Sequence, residues 1–252
     1  RLFHILSVCE VSTLHPYILK LFKDYNIQTE DELPKKFYDE LKKIENFVIR
    51  HIVSNTSMKN FNKVCALLIA GKTTIDKEME EKKETLCDEA ICASLYSVRS
   101  NKIATLILFW IELKRRSLDG KYATKELKYV YSLEHIMPQA WEAYWGINDC
   151  EVYSYETGKI ISDVEMAKDV RKLAIYEIGN MTLLTTSLNA TLKNYDISQK
   201  IDGSGKKKGI SYYADLSVAQ DVVEVYRNEK KWNEILIRKR TEELCKEFLK
   251  IW

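Results

Sequence analysis

The chain has 252 residues, is 46% hydrophobic and 30% charged, and carries a net charge of +2. That composition excludes a wholly disordered chain and suits one large domain or two small ones. Neither side of Gly120 carries a strong charge excess. A whole-domain basic field is therefore excluded, and a nucleic-acid partner has to be argued from local chemistry.

The most apolar run, Ile103 to Leu113, is about half of the ~20 residues that a bilayer span needs. Lys102 on one side and Lys114, Arg115 and Arg116 on the other mark it as a buried helix, so no membrane partner is expected. The six cysteines are scattered, with no Cys-x-x-Cys pair. This argues against a structural zinc knuckle and for a reduced, cytoplasmic compartment. The pattern is already helical at Arg1, which points to a piece of a longer protein whose N-terminal part lies ahead of it.

Residues 1–120 read as a helical region. Phe37, Leu41, Ile44, Val48 and Ile52 repeat at three- and four-residue steps behind Pro34, one face of an amphipathic helix. Met58, Phe61, Val64, Cys65 and Leu68 mark a second helix, with Gly71 as its stop. Residues 76–98 read as a third helix and 103–113 as a fourth. His4, His15 and His51 have no spaced carboxylate or thiol partners and read as structural or surface residues.

The texture changes over residues 121–252, the expected second domain. Lys128 to Leu133 alternates and is rich in β-formers, which predicts a strand running into Glu134 and His135. A loop-rich insert over about 139–170 carries seven acidic and two basic residues; its Trp141 and Trp145 read as packing rather than base stacking. Ile178 to Leu184 predicts a second short strand, Ser187 the N-cap of a following helix, and 202–209 a Gly/Lys loop. A last helix, about 229–250, is expected to bury Trp232, Ile235, Leu244 and Phe248. Within Arg238-Lys239-Arg240 at least one cation is expected to pair with a glutamate.

Strand, histidine, long loop, strand and helix can bring Glu134, His135, Asn180 and Asn189 to one place. Carboxylate and amide oxygens are hard donors suited to Mg²⁺ or Mn²⁺ rather than zinc. Two such ligands leave room for waters and a phosphate, and a neutral imidazole beside them can take a proton from water. Metal and base together hydrolyse phosphodiesters. Lys193, Lys200, Lys206, Lys207 and Lys208 against Asp196 and Asp202 give residues 187–212 a local excess of +3, which could hold a DNA backbone or simply form a solvated loop.

Leu133-Glu-His-Ile-Met-Pro-Gln139 and Ile178-Gly-Asn-Met-Thr-Leu-Leu-Thr-Thr-Ser-Leu-Asn189 resemble the HNH (His-Me finger, ββα-metal) nuclease signature. More narrowly they are similar to the C-terminal HNH domain of GmrSD-type restriction endonucleases, whose further Asn and Lys Asn194 and Lys200 match. The segment 232–244 resembles that family's closing helix. Residues 44–51 and 60–64 look like the helical region ahead of the nuclease. The resemblance implies an α+β chain, mainly helical, with an embedded ββα-metal nuclease core. It implies His135 as general base, Asn180 as the residue fixing the His135 loop, and Glu134 and Asn189 as ligands of one Mg²⁺ or Mn²⁺. With the family's Asn194 and Lys200, the lysines of the local basic cluster, Lys193, Lys206, Lys207 and Lys208, are expected on the DNA side. The resemblance further implies DNA cleavage in phage defence, with modified phage DNA as the target. The family's NTPase domain, or a partner subunit, would lie outside this chain, which has no G-x-x-x-x-G-K-[ST] loop. A non-catalytic nucleic-acid-binding or subunit-interaction module on the same scaffold is the alternative reading, and RNA is the alternative substrate.

Overall fold

The computed structural model describes residues 1–29, 33–120, 126–146 and 151–252. The chain divides into two compact units, Arg1–Ser94 with Trp252, and Leu95–Ile251.

The first unit holds α1 (Leu2–Val8), α2 (His15–Asp24), α3 (Lys35–Val53), α4 (Phe61–Ile69), α5 (Ile75–Glu81) and α6 (Lys83–Leu86), with α7 (Asp88–Leu95) at its end. The expected face of α3 is buried at Phe37, Ile44 and Val48, and Phe47 and Ile49 widen it. Gly71 stops α4 as predicted. At φ +65 its N–H reaches the Leu68 carbonyl and the Lys72 N–H reaches that of Leu67, a left-handed cap that glycine enters without a Cβ penalty. The single helix expected over 76–98 is three helices instead. Cys87 turns extended, and the Leu86 carbonyl accepts from the Arg50 guanidinium at 2.8 Å, a tertiary partner that replaces a helical one.

The second unit holds α8 (Asn101–Leu118), β1 (Ser132–His135), α9 (Val164–Ile175), a 3-10 turn (Ile178–Asn180), β2 (Met181–Leu184), α10 (Thr186–Leu192) and α11 (Ile197–Asp202). A small hairpin follows, β3 (Gly203–Ser204) with β4 (Lys207–Lys208), then α12 (Ile210–Tyr213), α13 (Ser217–Glu229) and α14 (Glu234–Ile251). The unit is thus mainly helical with two small antiparallel sheets. α8 belongs to it, although the sequence pattern groups α8 with the preceding helices. α8 packs on β1, β2, α13 and α14 and buries Leu106, Ile107, Leu108 and Ile111, and its buried Glu112 accepts the Val218 N–H at 3.1 Å.

Strand boundaries shift from the expected ones because pairing, not propensity, ends them. Only Ser132–His135 finds a partner, running from Ser132 opposite Leu184 to His135 opposite Met181. Tyr129 packs edge-on against Phe109 instead. Ile178 to Asn180 coil into the 3-10 turn rather than opening β2. The cap of α10 is Thr185, not Ser187. The Gly/Lys loop is the β3–β4 hairpin. In the insert, residues 147–150 lie outside those described. Trp141 and Trp145 are buried, and the Trp145 indole donates to the Tyr195 carbonyl at 3.0 Å, which is packing. α14 buries Ile237, Leu244 and Phe248, with Ile235 only half-buried.

Candidate active site

β1 and β2 form the floor of the site, and α10 follows directly. Glu134 and His135 end β1, Asn180 closes the turn ahead of β2, and Asn189 lies on α10. β2 is buried along its whole length, so its register against β1 is pinned by the core. Thr185 Oγ1 accepts the Leu188 N–H at 3.4 Å and starts α10 where the strand stops.

Asn180 is fully buried and fully engaged. Its Oδ1 accepts the Met137 N–H at 2.9 Å and the Trp232 indole N–H at 3.1 Å. Its Nδ2 donates to the carbonyls of Met137 at 2.8 Å and Ile175 at 3.1 Å. Its own carbonyl accepts the Ile136 N–H at 2.9 Å. The two residues after His135 are therefore tied to Asn180 at three backbone groups. α14 braces this turn from behind. Arg240 donates to the carbonyls of Gly179 at 2.6 Å and Met181 at 2.8 Å, and Thr241 Oγ1 accepts the Gly179 N–H at 3.1 Å. The approach is so close that a Cβ on Gly179 would run into the Ile237 carbonyl and Thr241. Beside it Arg238 grips the buried Glu177 with two nitrogens, the expected glutamate pairing.

Asn189 fastens α10 to β1. Its Nδ2 donates to Ser132 Oγ at 3.0 Å and to the Leu133 carbonyl at 2.8 Å, one residue before Glu134. Glu134 is 7% exposed, and its Oε1 accepts from Lys200 Nζ at 2.5 Å. The same ammonium donates to the His135 carbonyl at 2.8 Å. Burial pushes the Glu134 carboxyl up and the Lys200 ammonium down, each opposed by the other's charge. His135 is half-buried, and its Nε2 is buried without a hydrogen-bond partner among the described residues. Burial first, and the Lys200 charge second, lower its pKa to about 4. At neutral pH the imidazole is uncharged, the form that accepts a proton.

The family model of GmrSD restriction endonucleases, C-terminal domain, matches residues 80–247, which include this whole strand–strand–helix arrangement. The chain belongs to the GmrSD restriction endonuclease family. No curated protein and no solved structure matches it. Membership makes the chain part of a restriction nuclease, and among its described residues no helix is long and apolar enough to cross a membrane.

In this GmrSD C-terminal domain the six residues expected on the DNA side divide. Lys193, Asn194, Lys206, Lys207 and Lys208 are exposed. Thr191, Leu192, Tyr195 and Gln199 together with the three hairpin lysines line a cleft of about 270 Å³. Lys200 stands apart from the other five: it is 0% exposed and turns inward to Glu134. No sequence signal separates it from a solvated helical lysine. The supporting roles of Trp232, Arg240 and Thr241 also escape the sequence pattern, which shows only a C-terminal amphipathic helix.

The donor set suits a hard divalent metal rather than a soft one. Among the described residues no three His, Cys, Asp or Glu side chains gather as a ligand cluster. Glu134 Oε2 and Asn189 Oδ1 accept no hydrogen bond among those residues. One carboxylate and one amide oxygen are a donor set that fits a cation that keeps most of its waters.

Proposed function

We propose that this chain is the metal-dependent DNA-cleaving domain of an HNH-type restriction endonuclease, with modified phage DNA as its target and an NTPase domain or partner subunit outside these residues. The observation that carries this reading is geometric: His135 ends β1, Asn180 holds the backbone of the two residues after it, and the buried Glu134 stands just before it. The His135 imidazole takes the proton of the attacking water. Asn180 keeps the His135 loop from shifting as that proton moves. Glu134 and Asn189 would hold Mg²⁺ or Mn²⁺ through one oxygen each. A cation held there supplies Lewis-acid stabilisation of the charge that develops on the phosphate and the leaving oxygen. The exposed lysines of the β3–β4 hairpin and Lys193 would bind phosphates, positioning the strand without reading its sequence.

A plasmid-nicking assay tests this. The wild-type chain nicks with Mg²⁺ or Mn²⁺ and stops on chelation. His135→Ala loses about 10² to 10⁴ in rate while its DNA affinity and melting curve stay near wild type. Wild-type cleavage by His135→Ala would overturn the reading. Metal-independent DNA binding without any nicking would favour the non-catalytic module.

A further inference from the structure

Lys200 is the one lysine of residues 193–208 that is wholly buried, while Lys193, Lys206, Lys207 and Lys208 are exposed. A lysine stem usually lies along apolar surface with its ammonium in water. Sealing that ammonium away is costly unless it is paired and hydrogen-bonded. Lys200 Nζ meets both conditions, at Glu134 Oε1 and at the His135 carbonyl. Its two acceptors are thus consecutive residues, the proposed metal ligand and the proposed base. Only one carboxylate oxygen of Glu134 is taken; Oε2 accepts nothing among the described residues. β1 is consequently held from two elements, at Leu133 by Asn189 of α10 and at His135 by Lys200 of α11.

We infer that Lys200 is a positioning residue of the metal site: it fixes Glu134 by Oε1, leaving Oε2 for a cation to use, and it anchors the backbone that carries the imidazole. The inference rests on Glu134 being a metal ligand. Its physical basis is that a glutamate has several rotatable bonds whose freedom must be lost on binding. A partner that has already ordered the carboxylate removes that cost. Partners in this outer position are typically worth 10- to 100-fold in metal affinity or activity.

Mn²⁺ binding to the whole chain, read by the EPR signal of the free ion without DNA, separates the possibilities. Lys200→Met should raise the Mn²⁺ Kd about 10- to 100-fold. Lys200→Gln keeps an N–H donor at lower folding risk and should fall between it and wild type. Far-UV circular dichroism of each variant verifies the fold. Salt-dependent DNA binding of Lys200→Gln supplies a readout without metal: its log–log slope should match wild type. Wild-type Mn²⁺ affinity in a folded Lys200→Gln chain, with affinity lost in Glu134→Gln, overturns the positioning role and leaves the metal reading standing. A slope reduced by about 0.9 would make Lys200 a phosphate contact and overturn it as well. Unchanged Mn²⁺ affinity in Glu134→Gln itself removes the metal reading, and the role of Lys200 with it.

Discussion

At the scale of single residues, His51 and His135 show how one side chain serves different ends. His51, fully buried in the first unit, donates from Nδ1 to the Phe47 carbonyl at 2.7 Å and accepts at Nε2 from Lys82 at 3.0 Å. Both nitrogens are used, which agrees with the structural role read from its isolation in the sequence. His135 has one nitrogen without a partner among the described residues. Burial lowers the His51 pKa from 6.5 to about 4, so between those values the unfolded chain binds the proton and the folded chain does not. Its stability contribution is complete above pH 6.5 and is lost as the pH falls toward 4. Thermal melts of wild type and His51→Gln across that window test this; the variant should show a shallower loss of Tm, and parallel curves would refute it. The two asparagines differ in the same way. Asn180→Ala abandons four buried hydrogen bonds and should lower both stability and activity. Asn189→Ala should cleave poorly, with part of the rate recovered at high Mg²⁺. Wild-type metal dependence in Asn189→Ala would exclude it as a ligand.

At the scale of elements, α14 is more than a closing helix. Arg240, Thr241 and the indole of Trp232 just ahead of it hold the 3-10 turn that presents Asn180. The interlock depends on Gly179, where no side chain fits between the turn and α14. Gly179→Ala should therefore cost roughly 1–3 kcal/mol, as overpacking of a tight interface does, and should slow cleavage by displacing Asn180. Urea denaturation of the variant gives the first quantity. An unchanged midpoint would mean that α14 yields at no cost. The helical periodicity of 232–248 is readable in the sequence. Its polar teeth are not, because a buried arginine and threonine look like the solvent face of any amphipathic helix.

At the scale of the whole molecule, the near-zero net charge leaves DNA affinity to local basic clusters, and the β3–β4 hairpin carries three of its lysines outward. Changing Lys206, Lys207 and Lys208 together to alanine should weaken DNA binding and flatten its salt dependence. The log–log slope should fall by about 0.9 for each duplex phosphate that the variant no longer neutralises. Fluorescence anisotropy at several salt concentrations measures the slope. An unaltered slope would assign the hairpin to solvent.

The sequence by itself determined the helical character of the first 120 residues, the two short β segments around the motifs, and the family to which the chain belongs. Those features are local: helix faces repeat every three to four residues, caps such as Gly71 act within one turn, and the Glu134-His135 and Gly179-Asn180 pairs are contiguous. Tertiary structure alone decided what depends on partners distant in the chain. It assigned α8 to the second unit, where its apolar face meets β1 and β2. It cut β1 to the four residues that find a partner. It turned Lys200 inward across 66 positions to Glu134, because a carboxylate buried at the end of β1 needs a counter-charge that no neighbour in sequence supplies.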